Sequence, residues 1–141
     1  MDTPKHSVSV AAVITDDQGR ALLIQRRDNR HWEPPGGVLE LDETIEDGLR
    51  REVREETGLD IEPGPLTGIY KNMVRGIVAL VFRCKIIGGQ LSTNDEATAF
   101  RWADERELFQ LAADTYAVRI LDGLRDHASV AVRHHDGTKL L

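Results

Sequence analysis

At 141 residues the chain can bury one core but is too short for two ordinary domains, so residues 1–141 read as a single domain. With 40% hydrophobic and 30% charged residues it has the composition of a globular protein in water, and no apolar run approaches the ~20 residues that a membrane helix needs. The formal net charge of -6 excludes the basic footprint on which binding to polymeric nucleic acid rests; a polyanionic ligand would need a divalent cation as intermediary.

The opening stretch MDTPKHSVSVAAVI has no basic segment leading into an apolar run with a cleavage site, which predicts a cytoplasmic protein. Residues 7–15 (SVSVAAVIT) are β-branched and apolar, and the turn-forming residues 16–19 lead to a second short run over 21–25, together predicting a strand hairpin. After a turn at 28–30, Trp32-Glu33-Pro34-Pro35-Gly36-Gly37 excludes regular helix and predicts a shaped loop. Thr44 can cap a helix with Asp47 three residues on; Ile45, Leu49 and Val53 then form an apolar stripe, and Gly58 stops the helix.

Strands are expected over 66–70, 76–87 and 98–102, with Gly88-Gly89 ending the longest. Cys84, the single cysteine, falls inside that apolar run and reads as a buried, inert thiol. Asp104 caps a short helix through Leu111, and residues 115–126 carry apolar side chains at Ala117, Val118, Ile120, Leu121 and Leu124, the pattern of another amphipathic helix. The tail over 129–141 is weakly patterned, with residues 134–137 a turn or a frayed end. The five histidines show no ligand spacing and read as surface residues. Strands and helices mix without regular alternation, which predicts an α+β layered fold.

On the helix beginning near Thr44, Glu52, Glu55 and Glu56 fall within one wedge of roughly 100° at the ~100° per residue of an α-helix. Alone, such acids would decorate a solvated face, with Arg51 pairing Glu55 and Arg50 and Arg54 supplying counter-charge. Crowded together they repel, unless a hard divalent ion answers them. Oxygen ligands without nearby Cys or paired His favour Mg²⁺ or Mn²⁺ over zinc.

The spacing decides between these readings. Gly37 is followed after five residues by Glu43, and after seven more by Arg51-Glu52-Val53-Arg54-Glu55-Glu56-Thr57-Gly58-Leu59. This segment, 37–59, resembles the signature of the Nudix hydrolase family, G-x5-E-x7-R-E-U-x-E-E-x-G-U with U aliphatic, and fills every position of it. The Trp32-to-Gly37 loop and the preceding run ending at Arg26 and Arg27 are similar to MutT-like members.

The resemblance implies an α/β/α sandwich with a mixed β-sheet and metal-dependent hydrolysis of a pyrophosphate bond in a nucleoside triphosphate or a nucleoside diphosphate derivative, with nucleotide-pool house-cleaning as one role. Carried over by position, Glu52 and Glu56 would be the principal metal ligands, with Glu55, the Gly37 carbonyl and Glu96 as further ones. Arg51 would orient the acids, its planar guanidinium holding two carboxylate oxygens at once and fixing a cluster that lysine would leave loose. Glu43 would be a structural partner of Arg51, and Glu96 and Glu55 are the candidates for general base. Arg26, Arg27, Trp32 and Asp114 are the candidate substrate contacts, Trp32 by stacking on a base and Asp114 by reading one.

Members selecting ADP-ribose place a proline around Val74 in this numbering, whereas this chain has its prolines at Pro63 and Pro65; those selecting diadenosine polyphosphates place a tyrosine near Gly76, and Tyr70 comes too soon. Both departures weaken those specificities. The rival reading is a Nudix-shaped nucleotide-binding or regulatory module without turnover, against which the intact glutamates argue. Nothing in the sequence chooses between a monomer and a homodimer.

Overall fold

The structure is a computed structural model describing residues 2–125 and 129–141. In chain order its elements are β1 (Ser7–Ile14), β2 (Ala21–Arg26), β3 (Trp32–Glu33), β4 (Gly36–Val38), α1 (Ile45–Thr57), β5 (Leu59–Asn72), β6 (Ile77–Gly89), β7 (Ala97–Ala103), α2 (Glu105–Leu111), α3 (Asp114–Leu124) and β8 (Ala131–His135). They form a mixed five-stranded sheet, β4-β1-β6-β5-β8, and an antiparallel three-stranded sheet, β3-β2-β7.

The expected hairpin of β1 and β2 does not form. The turn is there, with the Asp16 carboxylate accepting from the Gln18 and Arg20 amides, but only Thr15 and Ala21 bridge across it before the strands part into different sheets. β1 runs parallel to β6 and antiparallel to β4, while β2 lies between β3 and β7. Both strands are apolar at successive positions, and strands buried on both faces take a neighbour on each edge; the turn between them does not fix which. The stretch 32–37 is likewise not one loop: it is two short strands, one in each sheet, joined by the prolines.

Alternate side chains of β1 face opposite cores. Val10, Ala12 and Ile14 join Leu22, Leu49, Val53, Leu59, Ile61 and Cys84 under α1. Ala11 and Val13 join Leu23, Tyr70, Ala79, Val81, Leu108, Ala117 and Ile120 beneath α2 and α3. This is the α/β/α layering that the resemblance implied. The thiol of Cys84 is buried and pushed up to about 12 by its surroundings, so it is inert as expected.

Helix α1 begins where the sequence indicates, with the Thr44 hydroxyl accepting from the Asp47 amide, and ends at Gly58, whose φ of 83° is the left-handed cap that glycine adopts freely. Leu49 and Val53 are fully buried, whereas Ile45, at the first turn, stays exposed. β5 starts directly after the cap and passes through Pro63-Gly64-Pro65, where register shifts accommodate residues that cannot donate to the ladder. Only its second half was predicted. Residue 126, expected to end α3, lies outside the described residues, as does His127.

The weakly patterned tail forms β8, paired in parallel with β5. Its anchors are polar and so leave no hydrophobic periodicity: Arg133 clamps the buried Asp122 carboxylate with two hydrogen bonds of 2.8 Å, and Asp122 accepts the Tyr70 hydroxyl at 2.7 Å. His135 is buried, against the surface position expected for the histidines.

Candidate active site

The acids of α1 converge on the Gly36-Gly37 backbone because β4 passes beside the last two turns of the helix. The Gly36 amide donates to Glu56 Oε1 at 2.7 Å. A Cβ at Gly36 would run into the Val10 carbonyl and Ala11, and one at Gly37 would stand 2.5 Å from the Glu52 carboxylate. Both glycines are therefore there for close approach, Gly36 to β1 and Gly37 to an acid. Glu96 enters from the loop before β7, and single carboxylate oxygens of Glu52, Glu56 and Glu96 lie within 4.8 Å of one another.

Arg51 organises this cluster from one side. Its guanidinium holds Glu43 with two hydrogen bonds of 2.9 and 2.6 Å, and its Nη1 donates to Glu52 Oε1 at 3.0 Å and Glu55 Oε2 at 3.3 Å. The Arg51 hydrogen bonds hold the Glu43 carboxyl down at about 2, so Glu43 is a fixed anion that locks the arginine. This is the partnership the sequence indicated. Glu55 is half-exposed and turned to Arg51, outside the group of three.

Burial, and after it charge crowding, shows in the titration of the cluster. Burial, with the neighbouring Glu52, Glu96 and Glu33, pushes the Glu56 carboxyl up to about 8, even though the Gly36 amide favours its anion. Burial also raises Glu52, against the pull of Arg51. A cation seated among these oxygens would reverse both shifts. The donor set is all oxygen and suits a hard divalent ion.

Above the acids lies a hollow of about 420 Å³, rimmed also by Arg26, Asp28 and Asp95. Arg26 pairs with Asp28 and, at 3.2 Å, with Glu33. Arg27 is differently used: its amide donates to the Glu96 carbonyl and its Nη2 to the Asn94 carbonyl, which fastens the loop carrying Glu96. Trp32 packs on the core beneath α2 and α3, and Asp114 is the exposed first residue of α3 rather than preceding it; neither lines this hollow.

Three further polar positions escaped the sequence reading. Asn94 donates to the Glu56 carbonyl at 2.7 Å while its Oδ1 accepts the Glu96 and Ala97 amides, tying the end of α1 to the Glu96 loop. The preference of asparagine for such self-made turns was a usable signal in Asn94-Asp95-Glu96. Glu33 is buried beside Arg26. Arg119 is buried on α3, and its spacing from Tyr116, Ile120 and Gly123, which puts all four on one helix face, was the available clue.

With this geometry in hand, comparison with known proteins is informative. The NUDIX domain model matches residues 5–122. A MutT-like protein of Streptomyces ambofaciens is 56% identical over 138 residues, covering 98% of this chain and 89% of that one. An ADP-ribose pyrophosphatase of Methanocaldococcus jannaschii is 35% identical over 115 residues, covering 77% of this chain and 68% of its own length. Among solved structures, an ADP-ribose pyrophosphatase of Streptococcus suis superposes with a TM-score of 0.78 at 23% identity, covering 91% of this chain and 99% of that one, a likeness of fold.

Proposed function

The chain belongs to the NUDIX domain family, and on that footing we propose that it hydrolyses a pyrophosphate bond in a nucleoside triphosphate or in a nucleoside diphosphate carrying a further group. The observation that carries this reading is the convergence of Glu52, Glu56 and Glu96 beside Gly37, where a side chain would collide with Glu52. We assign Mg²⁺, with Mn²⁺ as the equivalent hard ion, to these carboxylates and the Gly37 carbonyl. Bound there, the ion would neutralise diphosphate oxygens and acidify a water.

The chain's own residues do the rest. Arg51 fixes the direction of the Glu52 carboxylate, and the Gly36 amide fixes that of Glu56. Glu96 takes the proton as water adds to phosphorus and the bond to the bridging oxygen breaks, releasing a phosphate-bearing leaving group. Glu96 suits this role better than Glu55, because Glu55 is engaged by Arg51 outside the cluster. Arg26, on the rim, meets the phosphates. We read the whole chain as one catalytic domain. A cytoplasmic site accords with its lone buried thiol, and no helix among the described residues is long and apolar enough to cross a membrane.

The test is turnover of a panel of nucleoside triphosphates and diphosphate derivatives with and without Mg²⁺, products being identified by mass. Metal-dependent cleavage at a pyrophosphate bond is expected; nucleotide binding without turnover would make the protein a silent module instead.

A further inference from the structure

Two of the three carboxylates in the cluster are aimed by hydrogen bonds to their own oxygens, Glu52 by Arg51 and Glu56 by the Gly36 amide. The third is not. Among the described residues nothing donates to the Glu96 carboxylate, and the residue is exposed. Its place beside the other two therefore depends on how its backbone is held. That backbone belongs to the stretch 90–96, which forms neither helix nor strand and whose residues are exposed apart from the half-buried Asn94. A segment without apolar anchors keeps one conformation only where its polar groups are tied.

Asn94 supplies those ties in two directions. Its Oδ1 accepts the Glu96 amide at 2.8 Å and the Ala97 amide at 2.9 Å, and its own amide donates to the Ala97 carbonyl at 3.1 Å, closing a tight turn around Glu96. Its Nδ2 reaches the other way, donating to the Glu56 carbonyl at 2.7 Å. That carbonyl lies in the last turn of α1, where a helix has no partner of its own to offer. The neighbouring Thr57 carbonyl accepts the Ser92 amide at 2.9 Å, and a Cβ at Gly58 would run into the Gln90 carbonyl, so the loop is seated directly on the helix end. From β2 the Arg27 amide holds the Glu96 carbonyl at 2.8 Å. Both backbone polar groups of Glu96 are thereby fixed, and the side chain that fixes its amide also grips the peptide of Glu56.

The work asks for a side-chain amide, which carries an acceptor and a donor on one planar group. Aspartate would lose the donor and add a charge next to the acids. Serine would keep an acceptor for the turn but fall short of the helix, and alanine would keep neither.

Resting on the hydrolase reading above, we propose that Asn94 is the positioning residue of Glu96, setting the loop carboxylate against the helix carboxylates so that the three form one centre before substrate arrives. Residues that orient a ligand from behind change metal affinity by about 10–100-fold when removed, and a small misplacement of a reacting group costs rate rather than substrate binding.

The experiment is a double-mutant cycle on wild type, Asn94→Ala, Glu96→Gln and the double variant, read in two ways. Steady-state turnover of a nucleoside triphosphate with Mg²⁺ should show kcat about tenfold or more lower in Asn94→Ala, with KM within about twofold of wild type; in the Glu96→Gln background the same change should cost less than about twofold. Titration of the nucleotide-free proteins with Mn²⁺, followed by electron paramagnetic resonance, should show Kd raised about tenfold by Asn94→Ala alone and little changed by it once Glu96 is glutamine. Asn94→Ser, which keeps the turn, should lie between alanine and wild type in both readouts.

An equal loss in both backgrounds, or an Mn²⁺ Kd within about twofold of wild type in Asn94→Ala, overturns the proposal, since a merely structural residue acts without regard to Glu96. If Glu96→Gln itself changes neither kcat nor Mn²⁺ affinity, the proposal falls while metal-dependent turnover leaves the hydrolase reading standing. If no nucleotide is cleaved, the hydrolase reading falls and the Mn²⁺ titrations alone decide for or against Asn94. Should Asn94→Ala fail to fold, Asn94→Ser is carried through the same cycle, and failure of both makes Asn94 a structural residue and overturns the proposal.

Discussion

The hollow beside α1 and the hollow beside α3 are electrostatic opposites built by different means. At α1, carboxylates from one helix and from the Glu96 loop are gathered beside one arginine and a glycine pair. At α3, the Arg119 guanidinium is gathered by Tyr70 of β5, Tyr116 of α3 and His135 of β8, and its Nε has no hydrogen-bond partner among the described residues. Each end carries a buried group whose surroundings disfavour its charge, the Glu56 carboxyl at one and the Arg119 guanidinium at the other. The difference teaches how such tension can be contained: like charges by a shared counter-ion, Arg51; an unpaired cation by aromatic faces.

The sharpest way to break the comparison is Glu56→Gln, which removes one charge from the acidic end without changing its shape. Turnover should fall by on the order of 10³-fold or more, with an unaltered circular dichroism spectrum. Activity within tenfold of wild type would remove Glu56 from the centre. Arg51→Lys keeps the charge but not the fork, and kcat should drop on the order of 10²-fold as Glu52 loosens; a loss below threefold would mean that Arg51 does not position the acids.

The pH dependence of stability tests whether the burial and crowding of the α1 acids weigh on the fold. The Glu56 carboxyl titrates at about 8 in the folded chain and at the ordinary 4.5 when unfolded, so between these values the folded state holds a proton that the unfolded state has lost. Without metal, this contribution is complete below about 4.5 and is lost as the pH rises to about 8. The melting temperature of metal-free protein should therefore fall on the order of 10 °C across that window, and saturating Mg²⁺ should flatten the decline. A flat profile without metal would show that the acids do not strain the fold.

The smallest effect belongs to the α3 side. Arg133→Met breaks the clamp on Asp122 and should cost roughly 2 kcal/mol, read as a melting temperature about 6 °C lower, with activity per folded molecule nearly unchanged. A matching loss of kcat would instead couple β8 to the chemistry.

The same contrast governs what the sequence could disclose. The acids of α1 are legible because their spacing along one helix is their spacing in space; Arg51, Glu52 and Glu56 needed only the helical period and the signature of the family. Glu96 was reachable by resemblance, but Asn94, which fixes it, speaks through a local turn preference that is easily passed over. Arg119 and His135 come together only by tertiary pairing of β8 with β5, and hydrophobic periodicity carries no record of that, since β8 is held by Arg133 and Asp122 rather than by apolar contacts. The layered fold followed from element types, yet the partners of β1 and β2 did not, because strands buried on both faces read alike whichever neighbours they take.

Cys84 gives the molecule an internal clock. As the chain's single thiol, wholly enclosed beneath α1 and held far from its reactive form, it can meet an alkylating reagent only when the layer between that helix and the sheet comes apart. The rate at which the protein gains one label in native buffer thus times the opening of the very layer that carries the acids, with no engineered probe and no background from a second thiol.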